Sequence, residues 1–329
     1  MSNSNLIKLI LTQLDCSQKD LAHKLDVSTA QVSKWKSNAY MSEDMRQRLT
    51  ELAGIGVYNS DFVYWTGGLE QSKKWYKLIN DIADRALMEC ETGYNTTPLQ
   101  IDEDTGTRHS LCYFTIRILK DMGITIPEEF PAVLTFDAAD IDWDDDVALD
   151  SYSERGQDDP IYRLIHDSYM AFNALYGFFT AYIADIVFDI SAGEGQLEMF
   201  DHGLEMESEL LSLAFSKTGT QNDFMSKFGT FSYETDKYFK RAITHVKKYA
   251  IKHHIPIKAE LDNLLLQDSQ DSGMDAERES LGLNPLHPDV YMNEILGHLR
   301  YIGQILPVIC NKLGIEENDY LLNAPEPKL

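Results

Sequence analysis

Apolar residues in the first sixty positions recur at the spacing of short amphipathic helices. The first helix is marked by apolar positions that share one helical face: Leu6, Leu9, Ile10 and Leu14. Ser17 and Ser28 each precede a further short run, and a serine hydroxyl in that place can accept hydrogen bonds from the first free amides of a helix. The pattern predicts helices over Gln18–Leu25 and Thr29–Lys36, joined by a short turn at Asp26.

The helix after Ser28 has a two-sided pattern. Val32 and Trp35 predict its buried side, while the residues between them are polar. Gln31 stands three residues after Ser28, which completes a capping-box pattern in which each side chain bonds the other residue's backbone. A fourth helix is predicted after Ser42, where acidic residues follow at the positive end of the helix.

The string QKDLAHKLDVSTAQVSKWKSN resembles the helix-turn-helix of the Cro/C1-type (XRE) repressor family. Seven positions match the family pattern in register: Gln18, Ala22, Val27, Ser28, Val32, Ser33 and Trp35. Asp26 departs from it, since the family usually has glycine in the left-handed turn, but aspartate tolerates that conformation. The resemblance covers residues 3–56 and implies a four- or five-helix domain like that of lambda repressor.

The resemblance implies a role for each polar position of the motif. The helix from Thr29 would enter the major groove, with Thr29, Gln31 and Lys34 directed at base edges. Gln18 would contact a phosphate or brace that helix. Backbone phosphates would be held by the residues at its two ends: Ser28, Lys36, Ser37 and Asn38. From the residues alone, Ser28 and Gln31 are also compatible with a capping role only, and the lysines with simple solvation.

Beyond residue 60 the chain has helical periodicity almost throughout. Predicted helices are Leu69–Glu91, Arg108–Met122, Ile161–Ile190, Gly195–Phe215, Asn222–His253, Lys258–Leu266 and Pro288–Leu313. Ala132–Phe136 is the one short strand that the pattern favours. We therefore predict an all-α protein with a helix-turn-helix domain over residues 1–58 and a larger, mostly helical domain over residues 59–329.

The helix predicted over Ile161–Ile190 is rich in aromatic residues and apolar nearly all round. A ligand pocket, a dimer seam and plain core packing are all compatible with that pattern. If it is a pocket, its lining would be Tyr169, Phe172, Tyr176, Phe179 and Tyr182. The C-terminal helix Pro288–Leu313 is a second candidate for the dimer seam.

Charge separates the two predicted domains. The whole chain carries a formal charge of −24, but residues 1–59 sum to +1 and the remainder to −25. A near-neutral DNA-binding domain attached to an acidic domain can still bind DNA. The contact is local, and salt screens the charges of the acidic domain beyond about 8 Å at physiological ionic strength. One helix face in the body is basic, formed by Lys237, Arg241, Lys248 and Lys252. It fits a solvated face, and also a contact with flanking DNA, an anionic ligand or the chain's own acidic loop.

Aspartates crowd one segment of the body. Asp140, Asp142 and Asp144 have the spacing of a calcium loop, but Asp145 stands where an EF-hand needs glycine and Ser151 where it needs glutamate. We predict a solvated acidic loop there and no metal site. The chain has no nucleophile elbow, Walker loop, dinucleotide fingerprint or zinc-ligand spacing, so we expect no enzyme, no catalytic residue and no cofactor.

These patterns together predict a transcriptional regulator that binds double-stranded DNA at a palindromic operator as a homodimer. Its body would dimerise, sense a small-molecule or peptide ligand, or do both. Four scattered cysteines and the absence of a membrane-length apolar run or a signal peptide favour the cytoplasm. The alternative is an antitoxin or interaction adaptor whose acidic body holds a protein partner.

Overall fold

A computed structural model describes residues 2–89, 96–100, 107–135, 156, 158–192, 203–253, 255–257, 259–268, 271 and 288–315. Within these ranges the regular structure is entirely helical, with thirteen α-helices, two short 3₁₀ helices and no strand. The predicted all-α class is confirmed. The division at residue 58 stays a prediction.

Five short helices form the N-terminal part of the molecule. They are α1 (Asn3–Gln13), α2 (Gln18–Leu25), α3 (Thr29–Lys36), α4 (Glu43–Ala53) and α5 (Ser60–Trp65). Each of the first four begins after a serine whose hydroxyl accepts a hydrogen bond from an amide of the first turn. Asn59 does the same for α5. The side-chain caps explain why helices this short have defined starts.

Eight helices follow in the rest of the chain, from Leu69 onward, which we call the body. They are α6 (Leu69–Met88), α7 (Thr107–Asp121), α8 (Pro160–Tyr182), α9 (Ala184–Ala192), α10 (Gly203–Thr218), α11 (Phe228–Lys252), α12 (Asn263–Leu266) and α13 (Pro288–Leu313). The central helix is α8, which packs against α6, α9 and α10. Its length and apolar character fit a core position, as the aromatic pattern indicated.

Two separate clusters of buried residues stabilise the molecule. The smaller one joins α1 to α4 around Leu21, Val32 and Trp35. The larger one fills the body, and Leu9 and Ile55 from the N-terminal part belong to it. The helix-turn-helix is therefore not suspended on a free linker but rests on the body through one side of α1.

Asp61 fastens this contact. Its buried carboxylate accepts hydrogen bonds from the Ser2 amide at 2.9 Å and from the Asn5 side chain at 2.9 Å. Because α5 carries Asp61, packs on α1 and also packs on α6 and α7, the start of the chain is held against the body.

Arg108 is a buried charged residue of the body that the fold itself uses. It is 4% exposed and donates to the backbone oxygens of Gln100 and Asn80, to the Asn80 side chain and to the Asp84 carboxylate. Each of its three guanidinium nitrogens therefore has an acceptor, which a buried charge requires if it is not to destabilise the fold.

The predicted strand Ala132–Phe136 is wrong. Ala132–Leu134 forms a 3₁₀ turn after Pro131, and Phe136 lies outside the described residues. A strand needs a partner for its backbone groups, and the described part of the chain offers none.

The long helix predicted over Ile161–Ile190 is interrupted at Ile183, whose φ of −120° is not helical. Several other predicted helices are shorter than expected: α6 ends at Met88, α11 begins only at Phe228, and α12 is a single turn. The bounds of α13 are as predicted.

No single helix in the described ranges is long and apolar enough to cross a membrane. The helices α8 and α9 reach such a length and composition only together, and they are bent by 62° where they meet. Cys16, Cys112 and Cys310 are free thiols.

Candidate nucleic-acid interface

The turn between α2 and α3 has the geometry that the motif requires. Asp26 adopts the left-handed conformation, with φ 56° and ψ 48°, and its amide donates to the carbonyl of His23. The Val27 amide donates to the carbonyl of Ala22 at 3.0 Å. These bonds satisfy the last carbonyls of α2 and reverse the chain sharply, so that α3 crosses α2. Ala22 is buried at this crossing, where only a small side chain fits.

The start of α3 differs in one detail from the predicted capping box. The Ser28 hydroxyl accepts from the Gln31 amide at 3.1 Å, but the described contacts include no returning bond from the Gln31 side chain. The reciprocal box occurs instead at the start of α2, between Ser17 and Asp20. The short carboxylate of Asp20 reaches the Ser17 amide at 3.0 Å. The Gln31 amide group is therefore not used to cap its own helix.

Burial divides α3 into two sides. Val32 and Trp35 are buried in the small cluster and anchor the helix from behind. Thr29 and Lys34 are exposed and Gln31 is half-buried. The three residues assigned to base edges therefore all keep part of their surface open to a ligand.

The residues assigned to phosphates are exposed or half-buried, but Ser37 and Asn38, like the capping Ser28, also have internal bonds. The Ser37 hydroxyl donates to the carbonyl of Ser33 at 3.1 Å. Asn38 takes the left-handed conformation at φ 65°, and its side-chain oxygen accepts from the Ser2 hydroxyl at 3.3 Å. Ser37 and Asn38 thus also shape the end of α3. Gln18 and Lys36 are half-buried.

Tyr40 is an exposed residue that the sequence patterns did not single out. Its side chain is 86% exposed in the short connection between α3 and α4. A large ring left in solvent next to a candidate recognition helix adds a surface that can pack on sugar or stack on a base. The sequence offered one sign of this exposure. Tyr40 is an aromatic residue that belongs to none of the apolar helix patterns, and it stands two positions before the Ser42 cap.

The helices α2 and α3 differ in the charged residues that they bring to the interface. Lys34 and Lys36 lie in the last turn of α3. At the start of α2, the hydrogen bond from the Ser17 hydroxyl holds the pKa of Asp20 below its usual value. Asp20 therefore stays ionised at neutral pH, and a phosphate approaching the α2 amides would meet a carboxylate already bound there. The lysines that can attract the DNA backbone here are Lys19 and Lys24 of α2 and Lys34 and Lys36 of α3.

The aromatic positions of α8 are mainly core. Tyr169 and Phe172 are fully buried, and the Tyr169 hydroxyl lies 2.6 Å from the Thr115 hydroxyl. Tyr182 is buried, while Tyr176 and Phe179 are half-buried. A cavity beside Phe179 measures about 10 Å³, far below the roughly 300 Å³ of a small ligand site. At that cavity there is room for packing and not for a ligand.

The body has a polar cleft that the sequence did not indicate. It measures about 530 Å³ and lies between α7, α10 and α11. Its charged lining consists of Arg117, Lys227, Lys237 and Arg241 together with Asp121, Glu209 and Glu234. Desolvation raises the pKa of Asp121 above its usual value. Because cations and carboxylates nearly balance, the cleft does not select for ligands of one sign.

The basic face predicted on α11 is exposed at Lys237, Arg241, Lys248 and Lys252. The opposite face of α11 is buried at Phe239, Ala242 and Val246. The calcium-like spacing Asp140–Asp144 lies outside the described residues. Within the ranges that the structure covers, no three His, Cys, Asp or Glu side chains converge on a possible metal position.

Comparison with known proteins adds no relative. No family model matches the chain, and neither the curated proteins nor the solved structures contain a match.

Proposed function

We propose that this protein is a sequence-specific DNA-binding transcriptional regulator and that α3 is its recognition helix. The observation that carries the proposal is the two-sided burial of α3. Val32 and Trp35 fix the helix from behind, while Thr29 and Lys34 are exposed and Gln31 is half-buried.

The chemistry of these outward residues suits base edges. Glutamine can donate to and accept from adenine at once, and lysine donates to the two acceptors of guanine. No hydrogen bond or ion pair engages the side chains of Gln31 and Lys34 within the described ranges. Their polar groups are available to a ligand without breaking a contact that the fold needs.

The proposal includes a two-part operator and a cytoplasmic location. One helix of eight residues reads only a few base pairs, so a regulator gains specificity by placing two such helices about one DNA turn apart. The acidic body, at −25, repels DNA in general and leaves the local contacts of α3 to decide where the protein binds.

The proposal is tested by selecting bound sequences from a random duplex pool with the full-length chain. We expect enrichment of a sequence with two related halves. The double variant Gln31→Ala, Lys34→Ala should bind the enriched duplex at least about tenfold more weakly, since each base contact contributes about 1–3 kcal/mol.

The matched control is the double variant Lys74→Ala, Gln304→Ala. It removes the same two groups from exposed positions on α6 and α13 and should bind like the parent protein. Failure of the parent protein to enrich any duplex would contradict the proposal. So would equal loss of binding in the control. A basic protein that copurifies at equal stoichiometry, with no DNA enriched, would favour the adaptor function instead.

A further inference from the structure

The C-terminal helix α13 leaves its apolar residues in solvent, unlike the buried faces of the other long helices. Six apolar positions on it are between 45% and 69% exposed: Ile295, Leu299, Ile302, Leu306, Ile309 and Leu313. On α11, by contrast, Phe239, Ile243 and Val246 are at most 3% exposed. An exposed apolar strip of this length marks an interaction surface.

The six positions follow a heptad repeat. Their spacings alternate between four and three residues from Ile295 to Leu313, which is the seam of a helix that pairs with another helix. We call these six residues the α13 stripe. The face opposite the stripe carries Gly297, Gln304 and Asn311, none of which is a large apolar residue. Ile305 widens the apolar surface along one edge, and the exposed Val308 lies near the opposite face.

Within the part of the chain that the structure describes, the stripe is exposed along its whole length. It borders an apolar groove of about 240 Å³ that is lined by Ile251 of α11 and by Ile302, Leu306 and Ile309 of the stripe itself. A groove between a helix and the end of its neighbour admits the side chains of an added helix, as knobs enter holes in a coiled coil.

The charge of α13 indicates which partner fits the α13 stripe best. The sequence of α13 holds Asp289 and Glu294 against Arg300 and Lys312, so the helix is formally neutral in a chain of −24. Two copies of such an acidic protein repel each other over most of their surface, and α13 is a place where they can approach without that cost. A second α13 also supplies the same 3.5-residue period by identity, and an interface of this kind closes on itself as a symmetric dimer.

We propose that the α13 stripe pairs with the α13 stripe of a second copy of this chain, and that this pairing forms the homodimer. The stripe spans about 27 Å along the helix at 1.5 Å per residue, and its repeat runs from Ile295 to Leu313, a little under three heptads. The inference deepens the proposed function, because a dimer presents two recognition helices. It is derived from α13 alone and is measured without DNA.

The experiment is the mass of the full-length protein in solution, by light scattering on a sizing column and by sedimentation equilibrium. We expect twice the 37.5 kDa of one chain. The variant Leu299→Glu, Ile302→Glu places charges in the stripe and should give the mass of one chain with unchanged circular dichroism. Since both side chains are exposed, neither substitution disturbs the buried core.

The matched control is Gln304→Glu, Asn311→Glu, which adds the same two charges to the opposite face of α13 and should remain dimeric. A parent protein that has the mass of one chain at every concentration would overturn the inference, whether the stripe then binds another protein or a segment of its own chain. A stripe variant that dimerises as tightly as the parent would overturn it as well. In either case, binding of the enriched duplex by single chains would leave the DNA proposal standing.

Discussion

The body and the recognition helix α3 use polar side chains in opposite ways. In the body, Arg108 is buried and its guanidinium is shared among Asn80, Gln100 and Asp84. On α3, Gln31 and Lys34 have no bonded side-chain partner within the described ranges. The comparison teaches that polar side chains stabilise the fold in one region, whereas in the other they remain available to a ligand.

The comparison predicts its largest effect at Arg108. The substitution Arg108→Met removes every donor while keeping most of the apolar stem, so the carbonyls of Gln100 and Asn80 lose a buried partner. We expect the free energy of unfolding to fall by about 2–4 kcal/mol, measured by urea denaturation. The double variant Gln31→Ala, Lys34→Ala should change it by less than about 0.5 kcal/mol. Similar losses in both variants would erase the distinction between the two regions.

A smaller effect distinguishes a capping role of Ser28 from a role of the same residue in DNA binding. Ser28 and Ser42 each cap a helix of the N-terminal part, at 3.1 Å and 3.4 Å from the amide that they accept. Replacing either serine by alanine should therefore lower stability by about 1 kcal/mol, measured by thermal denaturation.

Only Ser28→Ala should also weaken binding of the enriched duplex, because Ser28 lies at the end of α3 that faces the candidate interface. Ser42→Ala serves as the control for lost stability. Equal duplex affinity in the two variants would show that Ser28 has a capping role alone.

The smallest effect is on the pH dependence of stability, at His109, where the N-terminal part meets the body. His109 packs between Tyr58 and Tyr76, and burial lowers its pKa below the usual value of about 6.5. The unfolded chain therefore binds this proton more readily than the folded one. Stability contributed by neutral His109 is present above about pH 6.5 and is lost as the pH falls.

The variant His109→Gln should consequently lose less stability than the parent between about pH 7.5 and pH 5.5. Burial raises the pKa of Asp121 and Glu207, which act in the opposite direction and are common to both proteins. The difference between the two pH profiles isolates His109. An identical pH dependence of the melting temperature would contradict this assignment.

Where local chemistry decides a structure, the sequence predicted it well. The bounds of α2 and α3 agree with the prediction because Ser17, Ser28 and Asp26 determine the starts and the turn within a few residues. The bounds of α13 were equally accessible from its regular apolar period.

Where distant packing decides, the sequence predicted less. The break at Ile183 leaves no local mark in a run that is apolar all round. The late start of α11 depends on the Lys227 amide donating to the carbonyl of Met122, a residue on a distant part of the chain. The exposure of Tyr40 and the partners of Arg108 likewise arise from tertiary structure, which no periodicity encodes.

The claim that α3 reads bases is tested most directly by the variant Gln31→Ala on a panel of duplexes that differ from the enriched sequence at one position each. The account predicts that the binding free energy weakens by about 1–3 kcal/mol for each half of the enriched duplex and that discrimination disappears at one base pair in each half, and at no other position. A uniform loss of affinity across the whole panel, or full discrimination at every base pair, would contradict it.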